Sequence, residues 1–219
     1  MHHTVQNLID IKNSIVNILK EQNIKKIPKI IAVSKTFSLD KILPLIEHGH
    51  LDFGENKVQE AVDKWTEIKS KKSNIKLHMI GKLQTNKVKF AIKLFDYIHS
   101  VDSEKLAQKI SDEQNKINRK IKIFIQVNIG DEDQKSGIDK NQLSNLINYC
   151  KKINLEVAGL MCIPPANLES DKYFKEMNLL NNEFGFQELS MGMSSDYLKA
   201  VENNATFLRI GSSIFGQRY

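Results

Sequence analysis

A lysine closing one apolar run and an arginine inside another are the residues of this chain best suited to chemistry. Lys35 follows Ile30-Ile-Ala-Val-Ser34, where an ammonium gains nothing from packing. Burial disfavours the charged form of an amine and lowers its pKa, and only the neutral amine attacks a carbonyl. Position alone leaves two readings open: a Schiff-base lysine, or a side chain that snorkels from a strand end to water. Arg209 interrupts Thr206-Phe-Leu-Arg-Ile210. A buried guanidinium is costly unless its donors are satisfied, and a structural carboxylate partner would account for it as well as a ligand. Two glycine- and serine-containing turns, 190–196 and 211–216, each open a helix. Their backbone N–H groups can cradle an anion, although serine capping explains either turn alone.

The elements that must position these residues alternate regularly. Short runs rich in β-branched residues predict strands at 29–35, 51–53, 76–80, 97–100, 121–127, 155–160, 187–190 and 206–210. Helical patterns fall between them at 39–48, 57–69, within 84–94, 103–118 with Ser103 as N-cap, 139–152, 169–181 and 195–202. A leading amphipathic helix places Val5, Leu8, Ile9, Ile15, Val16 and Leu19 on one face. Strict alternation argues for parallel strands and βαβ crossovers. Eight units predict an α/β fold, a single (β/α)8 TIM barrel with an extra N-terminal helix, as one domain over residues 1–219. An open doubly wound sheet is the alternative, but no dinucleotide-type glycine fingerprint follows the first strand.

A barrel carries its site at the C-terminal ends of its strands. Those ends include Ser34 and Lys35, Gly54 to Asn56, His78 and Gly81, Ser190 to Gly192, Arg209 and Gly211. Closure sets the eighth strand beside the first, so Arg209 and Lys35 project into one mouth. Phosphate cups in barrels are often built from the loops after strands 7 and 8. A phosphate, a carbonyl-reactive amine and an arginine in one pocket suit a sugar phosphate or pyridoxal phosphate.

Composition removes several classes of function. Of 219 residues, 41% are hydrophobic, enough for a core, so disorder is excluded. The net charge of +6 comes from dispersed lysine, 29 of the 32 basic residues. A nucleic-acid surface more often shows arginine clusters with interleaved aromatics, so a solvated lysine surface and no nucleic-acid partner are expected. No apolar run approaches the roughly 20 residues of a membrane helix, and residues 1–13 lack the apolar stretch of a secretory signal. Cys150 and Cys162 are too few for a disulfide scaffold, so a cytoplasmic location is expected. His48-Gly-His50 lacks a third metal ligand and reads as a surface loop, and Asp131-Glu-Asp133 reads as a solvated turn. Cys162 is expected to be a buried, inert thiol near the mouth.

Several stretches in order carry a resemblance. They are Ile31-Ala-Val-Ser-Lys-Thr36, Phe53-Gly-Glu-Asn-Lys-Val-Gln-Glu60, His78-Met-Ile-Gly-Lys-Leu-Gln-Thr-Asn-Lys87 and Gln126-Val-Asn128 with Lys135-Ser-Gly137. Gly159-Leu-Met161, Leu189-Ser-Met-Gly-Met-Ser194 and Leu208-Arg-Ile-Gly-Ser-Ser-Ile-Phe-Gly216 complete the set. The chain resembles the pyridoxal phosphate homeostasis protein family, which is related to the barrel domain of alanine racemase. Lys82 stands where the family usually has proline, and Ser212-Ser213 where it commonly has Thr-Ala. Ser212 keeps the hydroxyl, and Lys82 bears on the start of the third barrel helix.

The resemblance implies that Lys35 joins pyridoxal 5′-phosphate as a Schiff base and that Arg209 faces the pyridine nitrogen. It implies that Ser194, Gly211 and Ser212 hold the phosphate, that Asn56 lies near the 3-oxygen and that His78 lies beside the ring. Helix capping is the competing reading for Asn56, and a satisfied core histidine for His78. Arginine offers donors only, so facing the ring nitrogen it keeps that nitrogen unprotonated and the ring a weak electron sink. Related racemases add a second base and a covering domain, whereas this chain ends at Tyr219. The expected function is therefore a non-catalytic carrier and buffer that sequesters the cofactor and supplies PLP-dependent apo-enzymes. A PLP-dependent racemase or lyase is the first alternative, and a Schiff-base aldolase on sugar phosphates the second.

Overall fold

A computed structural model describes residues 1–132, 136–166 and 168–217. Eight parallel strands follow one another round a closed barrel. They are β1 (Lys29–Val33), β2 (Asp52–Glu55), β3 (Lys76–Met79), β4 (Tyr97–Val101), β5 (Lys122–Gln126), β6 (Val157–Met161), β7 (Glu188–Met193) and β8 (Phe207–Ile210). β8 pairs back onto β1 with Arg209 in register with Ile31, which realises the expected barrel and excludes the open sheet. Around it lie α1 (His3–Glu21), α2 (Leu39–Glu47), α3 (Val58–Lys71), α4 (Val88–Leu94), α5 (Glu104–Lys116), α6 (Leu143–Lys152), α7 (Ser170–Glu183), α8 (Tyr197–Glu202) and α9 (Ser212–Phe215).

Strand side chains alternate between two apolar environments. In β5, Ile123 and Ile125 face outward into the core shared with the helices. Phe124 points inward and joins Ile31, Met161 and Phe207 inside the barrel. Burying each such side chain contributes about 1.5–3 kcal/mol, so both faces reward the strand conformation.

The extra helix α1 buries Val5, Leu8, Ile11, Ile15 and Leu19. Val16, expected on that face, is exposed, and Ile11 takes its place because 3.6-residue periodicity carries Val16 round to solvent. The helix packs on α2, α8 and α9, and Asn7 Nδ2 donates to Ile214 O at 2.9 Å, tying it to the short helix that follows β8.

Some boundaries move. β1 ends at Val33 rather than Lys35, and β7 runs on to Met193. The third barrel helix, which follows Lys82, opens with a 3-10 turn at Thr85–Lys87 before α4 begins. Ser103 caps α5 as expected, accepting from Leu106 N.

Candidate functional site

The C-terminal mouth of the barrel holds a cavity of about 330 Å3. That volume lies at the lower end of the ~300–1,000 Å3 range of small-molecule sites. Lys35, Asn56, Ser194, Arg209, Gly211 and Ser212 all line it, and Val33, Ile80 and Ile163 supply apolar wall. His78 does not reach it.

Lys35 lies in the turn after β1, half-buried, not within the strand itself. A charged cluster clamps its neighbours on both sides. Ser34 Oγ donates to Glu55 Oε1 at 2.7 Å, and Lys64 Nζ donates to Ser34 O at 2.9 Å. Thr36 N donates to Glu60 Oε1 at 2.6 Å, and Lys64 bridges Glu55 (3.0 Å) and Glu60 (3.1 Å). Thr36 has φ +68°, a conformation a β-branched residue adopts only when its surroundings enforce it. Burial raises the pKa of Glu60, but the Thr36 N–H and Lys64 outweigh it and hold the carboxyl below its usual range. Glu55 is wholly buried and also accepts from Trp65 Nε1 at 2.9 Å, while its Oε2 has no hydrogen-bond partner among the described residues.

Arg209 is held differently. The guanidinium donates from Nη1 to Ser190 Oγ at 2.7 Å and from Nη2 to Cys162 O at 2.8 Å. Neither partner is a carboxylate, so the structural ion pair that competed with a ligand is absent from its hydrogen bonds. Burial lowers its pKa, yet an arginine remains charged. A donor-only cation on neutral partners has N–H capacity left over for the cavity it lines.

The turns after β7 and β8 are joined through one hydroxyl. Ser194 Oγ accepts from Gly211 N (3.2 Å) and Ser213 N (3.3 Å), and Ser213 Oγ donates back to Ser194 O (3.4 Å). Gly192, at φ +89°, lets the chain bend here, since a Cβ would come within 2.5 Å of Ala200 Cβ. Asp196 Oδ1 accepts from Met193 N at 2.6 Å and tightens the same turn.

Asn56 sits in the bend after β2. The cap position of α3 is Lys57, without a side-chain cap bond, so Asn56 is not consumed in capping. Gly81 packs against it so closely that a Cβ there would lie 2.5 Å from Asn56 O.

His78 is buried inside the barrel, where its Nε2 lies 3.0 Å from Asp52 Oδ1 and its ring stacks on Tyr97. It is the satisfied core histidine that competed with ring contact. Side chains on a strand alternate faces and advance along it, and from β3 it is Ile80 that arrives at the mouth.

Other expectations resolve here too. Burial pushes the Cys162 thiol up to about 12, against a smaller opposing effect of Arg209, so it is inert. His48 is exposed, but His50 is buried and its Nε2 lies 2.9 Å from Asp52 O, so that stretch is only partly a surface loop. Burial brings His50 down to about 4. No His, Cys, Asp or Glu cluster suited to a metal occurs among the described residues. Asp133 and Lys135, from the acidic turn and the Lys135-Ser-Gly137 stretch, lie outside the described residues, as does Tyr219.

Sequence reasoning missed Glu60, Lys64 and His99. An acidic and a basic residue four apart, as Glu60 and Lys64 are, was the available signal for the first two.

Residues 9–219 match the family described as alanine racemase, N-terminal domain. A pyridoxal phosphate homeostasis protein of Pasteurella multocida is 32% identical over 225 residues, 97% of either chain. The chain belongs to the pyridoxal phosphate homeostasis protein family. PipY of Synechococcus elongatus, a structure with PLP bound, is 33% identical, with a TM-score of 0.81 over 92% of this chain and 100% of that one. An alanine racemase of Clostridium difficile shares the fold at 16% identity, with a TM-score of 0.71 over 99% of this chain and 57% of that one. No helix among the described residues is long and apolar enough to cross a membrane.

Proposed function

We propose that this chain is a carrier and buffer for pyridoxal 5′-phosphate, holding it in the mouth cavity as a Schiff base on Lys35. The observation that carries this reading is the convergence of an amine, a donor-only guanidinium and two joined serine turns on one cavity of about 330 Å3. The donor set suits the cofactor: an aldehyde needs an amine, a phosphate needs N–H and O–H donors, and a pyridine nitrogen accepts a hydrogen bond. When bound, the cofactor supplies an aldehyde that condenses reversibly with a primary amine.

The chain's own residues divide the work. Lys35 would bind the aldehyde carbon, and the Glu55, Glu60 and Lys64 cluster fixes the turn that carries it. Arg209 would donate to the ring nitrogen and keep it unprotonated. Ser194, Gly211 and Ser212 would hold the phosphate, and Asn56 would serve the 3-oxygen. His78 is left out of the direct contacts.

Two features favour holding over turnover. A ring nitrogen facing a permanently charged donor makes a weak electron sink. No tyrosine lines the cavity among the described residues, and Tyr97 is stacked on His78 away from the mouth, so none of the described tyrosines is a phenolic base facing Lys35. The recipients are PLP-dependent apo-enzymes, and the proposed place of action is the cytoplasm.

The test is an absorption spectrum of the protein with PLP, before and after borohydride. A visible band that borohydride removes, with covalent label at Lys35 and none in Lys35→Ala, supports the reading. No band, or label at another lysine, overturns the site. Efficient racemisation, transamination or sugar-phosphate cleavage by the purified protein overturns the carrier role.

A further inference from the structure

The hydrogen bond from Arg209 to Ser190 does not end there. Ser190 Oγ lies 2.9 Å from His99 Nδ1, His99 Nε2 lies 3.0 Å from His78 Nδ1, and His78 Nε2 lies 3.0 Å from Asp52 Oδ1. Five side chains from β8, β7, β4, β3 and β2 thus form one unbroken line through the barrel interior. Ser190, His99 and His78 have no solvent exposure, whereas Asp52, the first residue of β2, keeps 19% of its side chain exposed. The line starts at the cavity and ends at the opposite face of the barrel.

Elementary chemistry sets the direction of every link from the carboxylate end. Asp52, an ionised carboxylate, can only accept, so His78 carries its proton on Nε2 and donates it there. A neutral His78 then accepts on Nδ1, so His99 carries its proton on Nε2 and accepts on its own Nδ1. The donor to His99 Nδ1 is therefore the Ser190 O–H, while Ser190 Oγ accepts from Arg209, which can only donate. Three links follow the guanidinium and three protons are available, so the count closes with both imidazoles neutral. Burial lowers the pKa of His99 well below its usual value, and positive charge at His78 or Arg209 acts in the same sense. Burial also lowers His78, against the opposing pull of Asp52. Stacking holds both ring planes, His78 on Tyr97 at 4.6 Å and His99 on Phe124 at 4.3 Å.

We propose that Ser190, His99, His78 and Asp52 are positioning residues, a one-way relay that fixes the Arg209 guanidinium and thereby the donor it presents to the cofactor ring. Only the last step, from guanidinium to ring, rests on the PLP reading. The relay polarises from a fixed cation to a fixed anion, and it cannot reverse while both ends stay ionised. It therefore clamps Arg209 and does not shuttle protons. A buried cation is in this way tied to a carboxylate four links away, through neutral groups that leave its cavity-facing donors free.

Nitrogen NMR of histidine-labelled, cofactor-free protein at neutral pH tests the relay without any ligand. The expected result is a single neutral Nε2–H tautomer at both His78 and His99. An Nδ1–H tautomer or an imidazolium at either residue overturns it. In Asp52→Asn, an amide that can donate as well as accept no longer enforces direction, so mixed tautomers should appear at His99, one residue beyond the contact. A His99 signal that stays purely Nε2–H in that variant overturns the directional argument. Ser190→Ala tests the positioning role. PLP affinity should fall about tenfold, the size of one charge-assisted hydrogen bond, and the absorption maximum of bound PLP should shift. Wild-type affinity with an unshifted band overturns that role. If the unaltered protein takes up no PLP, the cofactor reading fails on its own, while the tautomers still decide the relay.

Discussion

The two cations of the cavity are held by opposite means. On the Lys35 side, Glu60 and Lys64 hold the backbone of residues 36 and 34 and Glu55 accepts from the Ser34 hydroxyl, with Lys35 half-buried in the turn between them. On the Arg209 side no carboxylate among the described residues hydrogen-bonds the guanidinium, which rests on a serine hydroxyl and a carbonyl oxygen at almost no exposure. The first arrangement fixes the chain on either side of the amine. The second fixes the side chain itself. On the proposed reading the second matters most, since a side chain that only donates hydrogen bonds gains from being locked, because less rotamer entropy is lost on binding.

This contrast can be broken most directly by removing each cation in turn. Arg209→Met should cost about 2–3 kcal/mol in urea unfolding, since it strips the donors from two buried oxygens. Lys35→Met should change stability by about 0.5 kcal/mol or less while abolishing borohydride-trapped PLP. Equal losses of stability would end the distinction. Ser194→Ala comes next, with an expected cost of about 1 kcal/mol from two N–H groups losing their shared acceptor, together with weaker phosphate retention. Inorganic phosphate should then compete less well for PLP, as measured by displacement titration.

The smallest effects belong to the Lys35 clamp. Glu60→Gln should cost about 0.5 kcal/mol, the scale of a partly exposed ion pair. Its pH signature is more telling. The folded-state pKa of Glu60 is depressed, so its stabilisation is complete above its ordinary value of 4.5 and is lost as pH falls below that value. Denaturation midpoints recorded downward from pH 6 should therefore fall less steeply in Glu60→Gln than in the unaltered chain. Parallel pH profiles would remove Glu60 from the clamp.

Much of this was legible in advance, and the exceptions share a cause. Strand and helix order followed from local periodicity, which needs no knowledge of the rest of the chain. Lys35 and Arg209 stood out because a charge inside an apolar run conflicts with its own neighbourhood. The two serine turns stood out because glycine and serine at a strand end free backbone donors. The place of His78 was not legible because a strand-end position does not say how far a side chain has advanced toward the mouth, and it is Ile80, the residue just after β3, that lines the cavity. The contacts that tie the charged clamp to the turn around Lys35 join residues 21 to 30 apart, and the His99–Ser190 link spans 91.

The amino-acid order by itself determined which elements form, that they alternate, and which cations and turns are chemically out of keeping with their surroundings, because all of these are short-range properties of the chain. Barrel closure decided the rest. It set β8 against β1, so that Arg209 and Lys35 share a cavity, and it threaded Asp52, His78, His99 and Ser190 into one line. Hydrogen bonds act over about 3 Å of space whatever the sequence separation, so these partnerships exist only once the strands have paired.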